Sequence, residues 1–380
     1  MSAAEIDHTM VGPKSEALTE ATEHQGRARV TLTAALAGEP SHAYLFRGPR
    51  GSGKRAAARA FAAEVLAAAS EDPEDARRRA LLDPSPHPDL VWLAPTGAQH
   101  MVEEVRERVI RASVYRPFEG GKRVFVVEAA EAMRDESQNA LLKTLEEPPE
   151  FVHLILLSSE GEGLLETVAS RCQVVDFAPL PAEVLERELA EAGASPDEAA
   201  AAARLAAGDL ERAQLLLGPQ GRELRADVER CLAAVLAGNC AGAPWKGLLD
   251  RAKAAGDDAE AAAREALEEE SKAGIKRSAK DIADGAKRAA RRRRTEILTL
   301  AFELCATWLR DLAAVASGAE EVAFNRDRLD VLRSQAQGMD AAHARDGAAL
   351  VQETRRGLDL NVSEELALEA LFFRLEALLA

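Results

Sequence analysis

The chain has 380 residues, a length that predicts two or three domains. Hydrophobic residues make up 47% of it but aromatics only 4%, and Ala-rich stretches with Leu three and four apart recur, which predicts a helix-dominated protein with sizeable cores. The formal net charge of −16 argues against non-specific nucleic-acid binding by the whole chain. No apolar stretch is long enough to span a membrane, and Met1 to Thr19 does not read as a signal peptide.

A cytoplasmic location with reduced thiols is therefore the expectation. Cys172, Cys231, Cys240 and Cys305 form no CxxC pair, so they read as buried thiols and no zinc is predicted.

Along the chain, residues 1–23 read as a loose N-terminal segment, although a helical pattern already starts at His24 and runs to Leu36. Ala43 to Phe46 is a short apolar run stopped by glycine and reads as a buried strand. A Gly-rich loop, Gly48 to Lys54, follows, and then an Ala-rich helix from Arg55 to Ala69. Asp72 to Arg79 reads as a polar surface connection. Further strands are predicted at Leu90–Leu93, Val124–Val127, His153–Leu157 and Gln173–Phe177. Helices are predicted at Val102–Ala112 and Glu136–Leu145, the latter stopped by Pro148-Pro149.

Strands alternating with helices imply a mainly parallel sheet covered on both faces, over residues 24–178. Two or three short helices over 179–218 form a small helical unit, and 219–380 reads as all helix. Residues 252–294 form a charged, aromatic-free insert, either a solvated helical excursion or a partly disordered one.

Gly48-Pro49-Arg50-Gly51-Ser52-Gly53-Lys54 matches GxxxxGK between a predicted strand and a predicted helix. In that frame backbone N–H groups and the helix N-terminus cradle phosphate, and the lysine reaches the outer phosphates. The next residue should be Ser or Thr, to ligate Mg²⁺, but it is Arg55. ATP therefore stays a candidate ligand of the loop, while Mg²⁺-nucleotide chemistry fits it poorly.

Val124–Val127 ends in Glu128, the position of a metal-contacting carboxylate, or simply a solvated strand end. The following residue is commonly a water-polarising glutamate and here is Ala129. Glu131 stands two positions further on, on a following turn. Ser158 and Ser159 close the fourth strand, where a serine can sense phosphate or merely cap. His87 reads as a fold-supporting histidine.

These residues carry a resemblance. Ser41 to Phe46, the GxxxxGK loop, His87-Pro88-Asp89-Leu90, the segment Gln138 to Pro149 (QNALLKTLEEPP) and Ser170-Arg171-Cys172 are together similar to the bacterial clamp-loader family of AAA+ proteins. Asn361 to Leu375 resembles that family's collar helix. The resemblance covers most of the chain from about His24, outside the 252–294 insert.

It implies a P-loop AAA+ domain with a parallel sheet, a small helical lid and an all-α collar for oligomerisation. The implied partners are the gamma/tau motor subunits and the delta subunit, with the sliding clamp and primed DNA met through the complex. The motors carry Ser or Thr after the lysine, an Asp-Glu pair on the acidic strand, four zinc cysteines and a lid arginine. This chain has Arg55, Glu128-Ala129, no cysteine before Cys172, and Glu211 at the lid position with Arg212 beside it.

These departures fit the class of subunit that resembles the motors without driving hydrolysis; the alternative is an active motor. In the family, the arginine of the Ser-Arg-Cys motif enters a neighbour's ATP site. Arg171 is accordingly the expected catalytic residue, in trans, with an intrachain ion pair as the other reading. The basic run Lys287 to Arg294 reads as a solvated helix face or as a contact for DNA phosphate or an acidic partner.

Overall fold

The computed structural model describes residues 15–95, 99–159, 163–272, 278–358 and 363–380. Residues 1–14 of the segment expected to be loose lie outside these, as does Asn361 at the start of the collar-like match. Two compact units result, one up to Leu180 and one from Pro181 on.

The first unit is built on five strands: β1 (Ala43–Arg47), β2 (Leu90–Leu93), β3 (Arg123–Val127), β4 (Val152–Ser158) and β5 (Gln173–Asp176). They pair in the order β2-β3-β4-β1-β5, every neighbouring pair parallel. The apolar runs of β1, β3 and β4 follow from burial on both faces. Successive side chains point to opposite sides.

Tyr44, Phe46, Val124, Val126, Ile155 and Leu157 pack on one face with Phe61 of helix α3 (Lys54–Ala67) and with α1 (Glu16–Ala21) and α2 (Gly26–Ala37). Leu45, Phe125, Val127, Leu154 and Leu156 pack on the other face with Leu141 and Leu145. The Tyr44, Phe46, Phe61 and Phe177 rings pack edge-on or tilted against one another, with 5.0 to 6.3 Å between centroids.

The remaining helices of this unit are α4 (Pro73–Leu81), α5 (Val102–Val105), α6 (Asp135–Glu146) and α7 (Glu166–Ala169). Two expectations need correcting. Residues 15–21 are not loose: Ser15 caps α1 by accepting from Leu18 N, and Leu18 is buried in the core. Asp72 to Arg79 is a helix rather than a connection. Asp72 caps it by accepting from Asp75 N (3.1 Å), and Pro73 holds the first position, where its missing N–H costs nothing. The helix predicted over 102–112 forms, but beyond α5 it widens into a π-helical turn at Arg106–Arg111.

The second unit is helical: α8 (Ala182–Glu191), α9 (Pro196–Ala206), α10 (Leu210–Leu217), α11 (Pro219–Leu236), α12 (Lys246–Lys272), α13 (Ala279–Ala316), α14 (Leu329–Gln335), α15 (Ala341–Leu358) and α16 (Glu364–Leu379). α8 to α10, over the lid-like stretch, pack with the later helices in this same unit. Arg204 donates to Ala323 O (3.0 Å), and Arg212 pairs with Glu303.

The described residues of the charged insert take the helical alternative. Outside residues 273–277 they lie on α12 and α13, which pack against each other. A Cβ added at Gly256 would come within 3.1 Å of Ala290 O, and one at Gly285 within 2.7 Å of Leu267 Cδ1. Much of the basic run is neutralised within the unit, since Arg292 and Arg293 pair with Glu296 and Arg294 with Glu364. Among the described residues no helix is long and apolar enough to cross a membrane.

His153 at the start of β4 provides a pH handle. Its ring stacks on His42 with 5.7 Å between centroids, and its Nδ1–H donates to Ser41 O (2.9 Å). The ring is fully buried, and burial pushes its pKa down to about 4. The folded state keeps this histidine neutral while the unfolded chain protonates it near pH 6.5. Its contribution is therefore present above that pH and lost as pH falls towards 4, amounting to about 2 kcal/mol by pH 5. Urea unfolding of the first unit should show this loss between pH 7 and 5. His153→Leu should lower stability at pH 7 but flatten the slope; an unchanged slope would assign the acid sensitivity elsewhere.

Candidate nucleotide site and the arginine before strand β5

The Gly-rich loop leaves the carboxyl end of β1, where open parallel sheets place their ligand crevices. Gly48 N donates to Ser158 O (3.1 Å), which ties the loop to the end of β4. A Cβ at Gly48 would come within 2.2 Å of Phe177 O, so only glycine lets the two backbones approach. Gly51 and Gly53 have φ of 67° and 85°, the left-handed region that glycine enters without strain, and Gly53 starts α3.

Ser52 is fully buried, and its hydroxyl has no partner among the described residues. Lys54 is also buried and turns back on its own loop, Nζ donating to Pro49 O (2.9 Å). Gln25 locks the loop from outside. Its Nε2 donates to Ser52 O (3.0 Å) and Ala178 O (2.7 Å), and its Oε1 accepts from Ala178 N (3.0 Å).

Glu128 sits at the end of β3, its own N–H donating to Leu93 O (2.8 Å). Arg55 Nε donates to Glu128 Oε1 at 2.6 Å, and Trp92 Nε1 donates to the same oxygen at 2.5 Å. Arg55 Nη2 also pairs with Asp83 (3.0 Å), which pairs in turn with Arg59 (2.9 Å). The Arg59 guanidinium lies 4.3 Å from the centroid of the Trp92 ring. Burial pulls the Arg59 pKa down, and the charge of Asp83 opposes that shift.

Two guanidinium groups and two carboxylates thus close a neutral cluster over Trp92, with Arg55 on the carboxylate that a metal would need. Ala129 follows with φ 47° and no side-chain acceptor. Glu131 lies on the turn after β3, and its Oε1 accepts from Ser159 N (3.2 Å). Ser158 is buried, and its carbonyl holds Gly48. His87 is buried and supports the fold, its Nδ1 accepting from Asp89 N (3.2 Å).

Arg171 does not join this group. It precedes β5, whose Gln173 is level with Tyr44 near the start of β1. The loop Gly48–Lys54 leaves the far end of β1, so a strand length of roughly 15 Å separates the two. Arg171 Nη2 pairs with Glu146 (2.6 Å), and Nη1 donates to Thr167 O (2.8 Å). Its side chain remains 36% exposed.

Among the described residues no three His, Cys, Asp or Glu side chains gather to hold a metal, and the four cysteines are free thiols. Burial pushes the Cys172 thiol up to about 12.

Residues 26–181 match the family described as "DNA polymerase III, delta subunit". Over these residues the chain is similar to clamp-loader delta' subunits. The DNA polymerase III subunit delta' of Pseudomonas aeruginosa is 38% identical over 54% of this chain and 64% of its own length. That of Bacillus subtilis is 31% identical over 50% of this chain and 57% of its own. The chain thus spans about three fifths of the length of these two relatives. A gamma/tau subunit from Mycobacterium tuberculosis is 36% identical over 43% of this chain and 30% of its own. Among solved structures, a gamma subunit-related protein from Thermotoga maritima covers 93% of this chain and all of its own, with a TM-score of 0.41 and 15% identity.

Within the cluster, the sequence points to Arg55 and Glu128 separately but not to their pairing. Nor does it point to Gln25, Arg59, Asp83 or Trp92. No motif marks these; their partners lie 27 to 153 residues away for Gln25, and 36 for Trp92.

The Gly48 contact is directly testable. Gly48→Ala should destabilise the first unit by at least about 2 kcal/mol, because backbone rather than a flexible side chain meets the new methyl. A midpoint in urea within error of wild type would mean that the loop and Phe177 are not in close contact.

Proposed function

We propose that this chain is the delta-prime-type subunit of a replicative clamp loader, that it does not hydrolyse ATP itself, and that it supplies Arg171 in trans to a neighbouring motor subunit. The observation that carries the first part is the Arg55–Glu128 pair. Mg²⁺-nucleotide fits this loop poorly: no hydroxyl follows Lys54, the carboxylate of Glu128 already holds a cation, and Ala129 cannot polarise water.

The position of Arg171 supports the second part. It stands at the edge of the sheet opposite its own loop, partly exposed, so any phosphate it meets belongs to another chain. A guanidinium there stabilises charge that develops on a transferring phosphoryl group. The partners on this reading are gamma/tau-type motor subunits and a delta subunit, with the sliding clamp and primed DNA reached through the assembly. The 36% identity to a gamma/tau subunit keeps the motor reading as the alternative, and the two differ in whether this chain turns ATP over.

Two measurements test the proposal. The chain alone should show no ATP hydrolysis, and Mg²⁺-ATP should leave Trp92 fluorescence unchanged. Arg55→Thr should uncover Glu128 and make that fluorescence respond to Mg²⁺-ATP. Hydrolysis by the wild-type chain alone would sink the non-hydrolysing assignment. In a complex reconstituted with motor subunits, Arg171→Ala should lower clamp- and DNA-stimulated turnover by about tenfold while assembly is retained. A loss of that size, below the roughly 10³ an arginine finger supplies at one site, is expected where the motor sites turn over in a partly coupled cycle, so that the slowed site holds back the others. Unchanged turnover would remove Arg171 from the mechanism.

A further inference from the structure

Glu146 is the last residue of α6, and it breaks a local rule. The C-terminal end of a helix carries partial negative charge, so a carboxylate there is unfavourable. α6 nonetheless ends in Glu146 followed by Glu147. Neither is needed by the core: Leu141 and Leu145 bury the packing face, while the Glu146 side chain is 50% exposed. What Glu146 does contact is Arg171, at 2.6 Å.

The other end of the guanidinium is fixed by Thr167 O in the last helix turn before it. α6 also grips the segment leading to that turn. Gln138 is fully buried; its Nε2 donates to Gly163 O (2.8 Å) and its Oε1 accepts from Leu165 N (2.7 Å).

We propose that Glu146 is the positioning residue for Arg171. It holds the guanidinium in one orientation before a neighbouring phosphate arrives, and releases it there. The inference rests on the trans-acting reading of Arg171. A free arginine side chain has many rotamers, and ordering it at the moment of reaction costs rate. Anchoring both terminal nitrogens removes most of that freedom in advance. Because the ion pair is exposed it is weak, so a phosphate dianion displaces the carboxylate readily.

The test is a double-mutant cycle in the reconstituted complex, with ATP turnover and thermal unfolding both measured. Glu146→Ala should lower kcat by about threefold to fivefold, the rate equivalent of one surface ion pair, with KM for ATP unchanged. Glu146→Gln, which keeps an acceptor but loses the charge, should fall between the alanine variant and wild type. With Arg171→Ala already present, Glu146→Ala should have no further effect. The midpoint of unfolding should not fall, since the carboxylate opposes the helix dipole.

A lowered kcat that persists equally in the Arg171→Ala background would overturn the proposal, because Glu146 would then act through the fold. So would a rise in turnover, which would make Glu146 a competitor of the phosphate, or no change at all. If Arg171→Ala itself is silent, the trans-acting reading fails first and takes this inference with it; the single variants tell these cases apart.

Discussion

Arg55 reaches across the mouth of the Gly-rich loop and gives its Nε–H to Glu128, and the neighbouring side chains arrange themselves around that contact. Trp92 donates to the same carboxylate oxygen, Asp83 takes the other end of the guanidinium, and Arg59 balances Asp83 while lying on the Trp92 ring. The cluster is neutral and covalently tethered. A divalent cation seeking Glu128 competes with a guanidinium that cannot diffuse away, an intramolecular competitor with the high effective concentration of a tethered group. Lys54, the residue a phosphate would draw outward, bonds instead to the carbonyl of Pro49.

The direction of the strands decides what Arg171 can do. Every neighbouring pair in the sheet is parallel, so the ends of β1 and β3 share one edge and the approach to β5 lies at the other. No side-chain rotation carries a guanidinium across that thickness. α6 spans the same interval on one face, with Gln138 near its start gripping residues 163–165 and Glu146 at its end holding Arg171. The segment QNALLKTLEEPP, which reads as mostly structural, is therefore structural for a particular purpose: it sets where the Ser-Arg-Cys turn stands.

Much of the sheet was legible because burial on both faces leaves uninterrupted apolar runs. Leu90–Leu93 matches its expected span, and the other four strands differ by a residue or so at their ends. The loop was legible because its glycines and lysine fall at fixed spacing. What was not legible depends on partners remote in sequence. Nothing around Gln25 announces that its amide will bridge Ser52 and Ala178. α4 was missed for a different reason: Arg, Glu and Asp dominate it, with Ala76 and Ala80 its fully buried residues, so hydrophobic periodicity is faint, though Asp72-Pro73 is a recognisable start signal. The cluster over Trp92 was half legible. Arg55 and Glu128 each stood out as departures or motif positions, but their pairing needs β3 and α3 to be brought together.

The shape of the Gly-rich loop does not depend on the side chains at positions 55, 128 and 129. The reason lies in which contacts define it. Gly48 is required by the carbonyl of Phe177, Gly53 by the backbone that opens α3, and Ser52 O is held by Gln25. None of these involves a nucleotide. The loop joins β1 to the buried helix α3, so distorting it would disturb the Tyr44, Phe46 and Phe61 core directly. Loop shape is thus a packing constraint of the sheet, set by Gly48, Gly53 and Gln25 and independent of the Arg55–Glu128 pair.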